Sequence, residues 1–103
     1  MNKQTIKNTI PGEDAVQDLS DLFQMFSDPT RLKILFALRH NSLCVADITT
    51  GIEATQSAVS HQLRILKRGR LVKSNRRGKQ VFYELADDHV YTLLEQGMEH
   101  INE

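Results

Sequence analysis

The chain has 103 residues, 40% hydrophobic and 25% charged, with 13 basic and 13 acidic side chains that leave a formal net charge of zero. That length supports one domain able to bury only about two-thirds of its unfolded surface, and the composition excludes a chain disordered throughout. The longest strictly apolar run, Ile34 to Leu38, is far short of a membrane span, the start MNKQTIKN lacks a signal peptide's apolar core, and the single Cys44 excludes an internal disulfide framework; a cytoplasmic protein is expected.

In chain order, residues 1–12 are polar, end in Pro11-Gly12 and read as a flexible N-terminal arm. From Glu13, the spacing of Ala15, Leu19, Leu22, Phe23 and Phe26 predicts a first helix with acids in its opening turn, where the helix dipole favours them. Asp28-Pro29 reads as an N-cap followed by proline at the first helical position, starting a second helix to about His40 that is apolar on most sides. A short helix around Ala46 to Thr50, closed by Gly51, and a turn over Ile52 to Ala54 follow. Thr55 suits the N-cap of a longer helix from Gln56 to Arg68, with Gly69 as its stop. Short helix, turn and longer polar-faced helix make a helix-turn-helix. Two β-prone runs, Leu71 to Asn75 and Gln80 to Leu85, then form a hairpin whose tip is Arg76, Arg77, Gly78 and Lys79. The expected architecture is mainly α with a small β-hairpin, a homodimeric winged helix-turn-helix of order α-α-α-α-β-β-α, with one DNA-binding domain over 13–103.

The stretch Thr55 to Gln80 carries eight Lys or Arg and no acid, on a chain whose total charge is zero. A run of charge is by itself only a solvated face. What adds to it is the face opposite Val59, Leu63 and Leu66, which carries Ser57, Ser60, His61, Arg64 and Arg68: with Gln56, Ser57 and Ser60 at the helix N-terminus, these are types that approach base edges and phosphates when that end enters a major groove. Arg76, Arg77 and Lys79 on the wing would reach the flanking backbone. Double-stranded DNA is the partner these residues point to.

The last helix, within 87–103, presents Val90, Leu93, Leu94, Gly97, Met98 and Ile101 as one apolar stripe, for which a second copy is a natural partner. His89 and His100 share nearly one azimuth but lie roughly 16 Å apart along the axis, so one helix cannot chelate one ion with both. Two copies packed antiparallel about a two-fold axis bring the His89 end of one to the His100 end of the other. Asp87 and His89 from one chain, with His100 and Glu103 from its partner, then offer two imidazoles and two carboxylates, a set suited to tetrahedral Zn(II) and, as a surrogate, Co(II).

The segments SDPTRLKILFAL, SLCVADI, QSAVSHQLRILKRGRLV and RRGKQVFYEL resemble the ArsR/SmtB family of metal-sensing winged-helix repressors. The resemblance runs from about Leu19 to the C-terminus, with VSHQLRILKRGRLV its most specific part. It implies a homodimer that binds an inverted-repeat operator, represses a metal-efflux or resistance operon and lets go when metal binds. The spacing D-x-H, ten residues, H-x-x-E is similar to the family's zinc site on its terminal helix. The resemblance also implies that the outer nitrogen of His100 bonds to backbone near Arg70. The family's second sensor site has two cysteines flanking a valine; here Ala46 stands at the second position, so a thiolate-rich site for Cd(II) or Pb(II) is not expected and Cys44 reads as a small buried hydrophobe. His40 suits the dipole at a helix C-terminus. Two other readings stay open: a regulator of this fold whose terminal helix only dimerises, and a zinc hydrolase, for which neither an open coordination position nor a nucleophile constellation is evident.

Overall fold

The computed structural model describes residues 1–103, in the order α1 (Lys3–Thr9), α2 (Glu13–Met25), α3 (Pro29–Ala37), β1 (Leu43–Cys44), α4 (Val45–Ile52), α5 (Gln56–Arg68), β2 (Val72–Arg77), β3 (Gln80–Leu85) and α6 (Asp88–Ile101). No helix is long and apolar enough to cross a membrane. The mainly α winged helix-turn-helix is as expected, with one helix and one strand more than the sequence suggested.

The extra helix falls in the arm. Asn2 caps it, its side-chain oxygen accepting from the Thr5 backbone N–H at 2.8 Å and from the Thr5 hydroxyl at 2.9 Å. No residue of α1 is buried, so the arm carries a helix but adds nothing to the core. The extra strand, β1, pairs Leu43 with Tyr83 and Cys44 with Phe82, giving an antiparallel sheet of order β1-β3-β2. A two-residue strand has no periodicity from which it could be read.

The core gathers Ile34, Leu35 and Leu38 of the α3 region, Ile48 of α4, Val59, Leu63 and Leu66 of α5, Leu71 and Val72, and Val90 and Leu94 of α6. Helix α3 starts as its sequence dictates, with an Asp28 carboxylate oxygen accepting from Arg31 N–H at 2.9 Å. It stops at Ala37 rather than His40, because the chain tightens: Arg39 N–H bonds to the Phe36 carbonyl and Asn41 N–H to that of Leu38. Nor is α3 buried all round, since Leu32 and Phe36 line an open apolar groove with α2 and α6.

Both ends of the helix-turn-helix are set by residues in the left-handed region. At the end of α4, Glu53 has φ 56°, Glu53 N–H bonds to Thr50 O at 3.4 Å and Ala54 N–H to Thr49 O at 3.2 Å. After α5, Arg70 has φ 63°, with Arg70 N–H to Lys67 O at 3.1 Å and Leu71 N–H to Leu66 O at 3.0 Å. Each is the paired-bond Schellman stop, which satisfies two of the helix's orphan carbonyls. The expectation that Gly51 closes α4 therefore fails: Gly51 is helical, and a Cβ there would meet nothing. At Gly69 a Cβ would lie 2.5 Å from the Met25 methyl, so a larger residue there would have to displace the end of that side chain.

A left-handed conformation costs a residue with a Cβ about 1–2 kcal/mol. Arg70→Gly is therefore expected to stabilise the fold by roughly 0.5–1 kcal/mol, after the greater freedom glycine gives the unfolded chain. The urea midpoint reads this directly, and a fall in midpoint would contradict it.

The wing differs from expectation at its tip. Arg76 and Arg77 belong to β2, with Arg77 paired to Gln80, so the turn is only Gly78-Lys79. Gly78 has φ 64° while Lys79 does not, the pattern of a two-residue hairpin whose first central residue must be glycine.

Candidate functional site

The outward face of α5 is built by its inward one. Val59, Leu63 and Leu66 are fully buried, which turns Ser57, His61 and Arg64 to the surface and leaves Ser60 half-buried at the edge; Gln56 is exposed as the first residue of the helix. Thr55 starts the helix as expected, its hydroxyl accepting from Ala58 N–H at 3.1 Å. The free N–H groups of that first turn and the positive helix end lie beside Gln56 and Ser57, a local environment that favours a phosphate.

Along β2, side chains alternate between the two faces of the sheet. Ser74 accepts from Lys67 of α5 at 2.7 Å, so the Ser74 and Arg76 face is the one shared with the polar helix. Arg77 lies on the other face. Its guanidinium donates to Asn75 Oδ1 at 3.1 Å and Ser42 Oγ at 3.4 Å, and stacks 4.6 Å from the centre of the Phe82 ring. Arg76 makes one local bond, to the Gly78 carbonyl at 3.2 Å, and Lys79 stands at the turn. The structure thus puts Arg76 on the face shared with α5, leaves Lys79 at the turn and ties Arg77 to the body. Between α5 and the sheet is an open cleft lined by Ser60, Arg64, Lys67, Arg68 and Tyr83, with three cations and no acid. Lys67, Arg68 and Tyr83 were not among the expected contacts. Tyr83 could have been found from the hairpin register, which sets it opposite Ser74.

On α6 the four expected metal donors fall into two pairs at opposite ends. Asp87 is the N-cap, its Oδ1 accepting from the backbone of His89 at 2.9 Å and of Val90 at 3.2 Å. The same oxygen is 3.4 Å from His89 Nδ1. At the other end, His100 Nδ1 is 3.6 Å from Glu103 Oε2. Both rings face solvent, with side chains 93% and 83% exposed. No three ligating side chains come together within one chain.

The apolar stripe of α6 is divided between two tasks. Val90 and Leu94 are spent on the chain's own core, whereas Leu93 and Ile101 remain exposed and Met98 lines the groove with Phe23, Phe26, Leu32 and Phe36. Helix α2 extends this surface: Val16, Leu19 and Phe23 are 43%, 49% and 52% exposed, and α2 buries no residue at all. The sequence reading gave the unpartnered face to the last helix alone; the structure spreads it over α2 and α6.

Residues 28–74, from the start of α3 into the wing, match the family model described as bacterial regulatory protein, arsR family. A transcriptional repressor SmtB homolog from Synechocystis sp. is 43% identical over 90 residues, covering 87% of this chain and 68% of its own length. The chain belongs to the ArsR family. A cadmium resistance transcriptional regulatory protein CadC homolog from Staphylococcus aureus is 39% identical over 87 residues, 84% of this chain and 72% of that one. Among solved structures, the AntR antimony-specific transcriptional repressor superposes with a TM-score of 0.79 at 32% identity, covering 88% of this chain and 83% of its own.

ArsR proteins are transcriptional regulators, not enzymes, and the hydrolase reading falls with that membership. Cys44 is buried, and its thiol donates to Asp47 Oδ2 at 3.3 Å. His40 meets the Tyr91 ring edge-on at 5.6 Å rather than serving only the end of α3.

Proposed function

We propose that this protein is a metal-responsive repressor that binds an inverted-repeat operator as an apo homodimer in the cytoplasm and leaves it on binding Zn(II), or Co(II), between subunits. The observation that carries the proposal is the splitting of the donors: Asp87 with His89 at one end of α6, His100 with Glu103 at the other, each pair exposed and each incomplete. The apolar surface over α2 and α6 supplies a reason for a second copy to lie there.

In such a dimer Asp87 and His89 would face His100 and Glu103 of the partner subunit, and the symmetry repeats the set. Asp87 suits the task, because capping occupies Oδ1 and no hydrogen bond takes Oδ2. Bound there, Zn(II) would supply a tetrahedral cross-link between subunits. The residues' own contribution is to fix how one α6 lies on the other, and a dimer held away from the operator's spacing binds it less well. The family resemblance adds that the outer nitrogen of His100 would bond to backbone near Arg70, linking ligand orientation to the reading helix. Coupling of this kind typically amounts to about 1–3 kcal/mol, or roughly 5- to 150-fold, and is reciprocal.

On the operator side, Gln56, Ser57, Ser60, His61 and Arg64 would meet bases or phosphates in the major groove, with Arg76, Arg77 and Lys79 at the flanking backbone. Arg76→Ala should flatten the dependence of log affinity on log salt by about 0.9 for its one phosphate. Arg77→Ala should change it less, since that guanidinium is already engaged by Asn75, Ser42 and Phe82. Salt titrations on a duplex recovered by in vitro selection test this; equal slopes in wild type and Arg76→Ala would remove the wing from the interface. The proposal as a whole is tested by fluorescence anisotropy on that duplex with and without Zn(II), alongside metal stoichiometry per dimer. Zinc that binds without weakening the complex would contradict it.

A further inference from the structure

The C-terminal turn of α2 is tied to α5 through Arg31 of α3 and meets the end of α5 at Gly69. Arg31, in the first turn of α3, donates through Nε to the Met25 carbonyl at 3.0 Å and through Nη2 to the Gln24 carbonyl at 3.2 Å. Those carbonyls are at the negative end of α2, which favours a cation; Gln24 O also accepts from the Ser27 N–H at 3.1 Å and the Ser27 hydroxyl at 2.7 Å, so Arg31 is the added partner there. The third arm, Nη1, donates to Gln62 Oε1 of α5 at 3.2 Å. Two turns further along, at the C-cap of α5, the Met25 methyl lies against Gly69, 2.5 Å from where a Cβ would stand. Gln62 is half-buried and points away from the Ser57, His61 and Arg64 face.

We propose that Arg31 is a positioning residue that locks the operator-reading helix to the dimer-facing helix α2, so that the separation of the two reading helices, and hence the operator spacing accepted, is set by the Arg31–Gln62 bond. This rests on the dimeric reading above. One extra base pair between half-sites displaces them by about 3.4 Å and turns one relative to the other by roughly 34°. A rigid link cannot follow that change, whereas a loosened one can.

The test compares full-length wild type with Gln62→Met, Gln62→Glu and Arg31→Lys on the selected inverted repeat and on duplexes with one base pair added to or removed from the spacer. Gln62→Met keeps the side-chain length and loses the acceptor, so its discrimination between spacers should fall roughly three- to tenfold. Arg31→Lys should behave alike, and the double variant no worse than either single one. Gln62→Glu keeps an acceptor for the guanidinium and should discriminate like wild type, an outcome a general loosening of the fold would not produce. Sedimentation and urea midpoints confirm folded dimers. Wild-type discrimination retained by Gln62→Met, or lost equally in Gln62→Glu, overturns the inference alone. Wild type that ignores spacer length overturns the dimeric reading first, and this with it.

Discussion

His100→Ala is expected to abolish zinc-triggered release while leaving the apo protein's affinity for operator within about twofold of wild type. The ring is exposed and contributes nothing to the core, so its loss should not disturb the α5 surface. Its loss removes a donor from both symmetric sites at once. Altering even an outer partner of a metal ligand typically costs about 10- to 100-fold in affinity, so removal of a direct ligand should weaken zinc by at least ~100-fold. Anisotropy at saturating zinc gives the answer, because the roughly 5- to 150-fold release factor should shrink to one. Release that persists in both His100→Ala and His89→Ala would leave α6 as a dimerisation helix only.

Phe23→Asp should have the second large effect. Phe23 is 52% exposed and shares its surface with Val16 and Leu19, whereas α2 packs on the core through Leu22 and Met25, so a carboxylate at position 23 perturbs the isolated subunit little. In a dimer that packs α2 and α6 against a second copy, the same carboxylate would be desolvated without a partner. The variant is expected to sediment as a folded monomer and to lose at least ~100-fold in operator affinity, since two half-sites read together gain about 10²- to 10⁴-fold over one. A Phe23→Asp protein that remains a dimer would move the interface elsewhere.

The parts of the fold that were legible in the sequence are those whose signals are local. Thr55 caps the start of α5, Asp28-Pro29 starts α3, and the 3.6-residue spacing places Val59, Leu63 and Leu66 inside, whereas the stop expected at Gly69 is made by Arg70. The parts that were not depend on partners distant in the chain. Glu53 and Arg70 accept left-handed backbone because their Schellman bonds, and the burial of Leu71 beside Leu66, outweigh the local preference for glycine. The short β1 exists only because Tyr83 and Phe82 of β3 offer it an edge. At the site, donor types and spacing were readable, and so was the impossibility of chelation within one helix. Which apolar residues of α6 remain outside was not, because Val90 and Leu94 look no different from Leu93 and Ile101 until the core claims them. Arg77 shows the same limit on the wing: its charge is visible in the sequence, but its turn toward Ser42 and Phe82 is not.

Mixing His89→Ala with His100→Ala subunits tests the central claim most directly. Neither homodimer retains a complete donor set. In a heterodimer, one site loses both histidines and the other keeps both, His89 from the His100→Ala subunit and His100 from the His89→Ala subunit. Subunit exchange followed by zinc titration and operator anisotropy should therefore recover one tight site per heterodimer, with release returning in proportion to the heterodimer formed. A mixture that binds zinc no better than either variant alone would contradict a site shared between subunits.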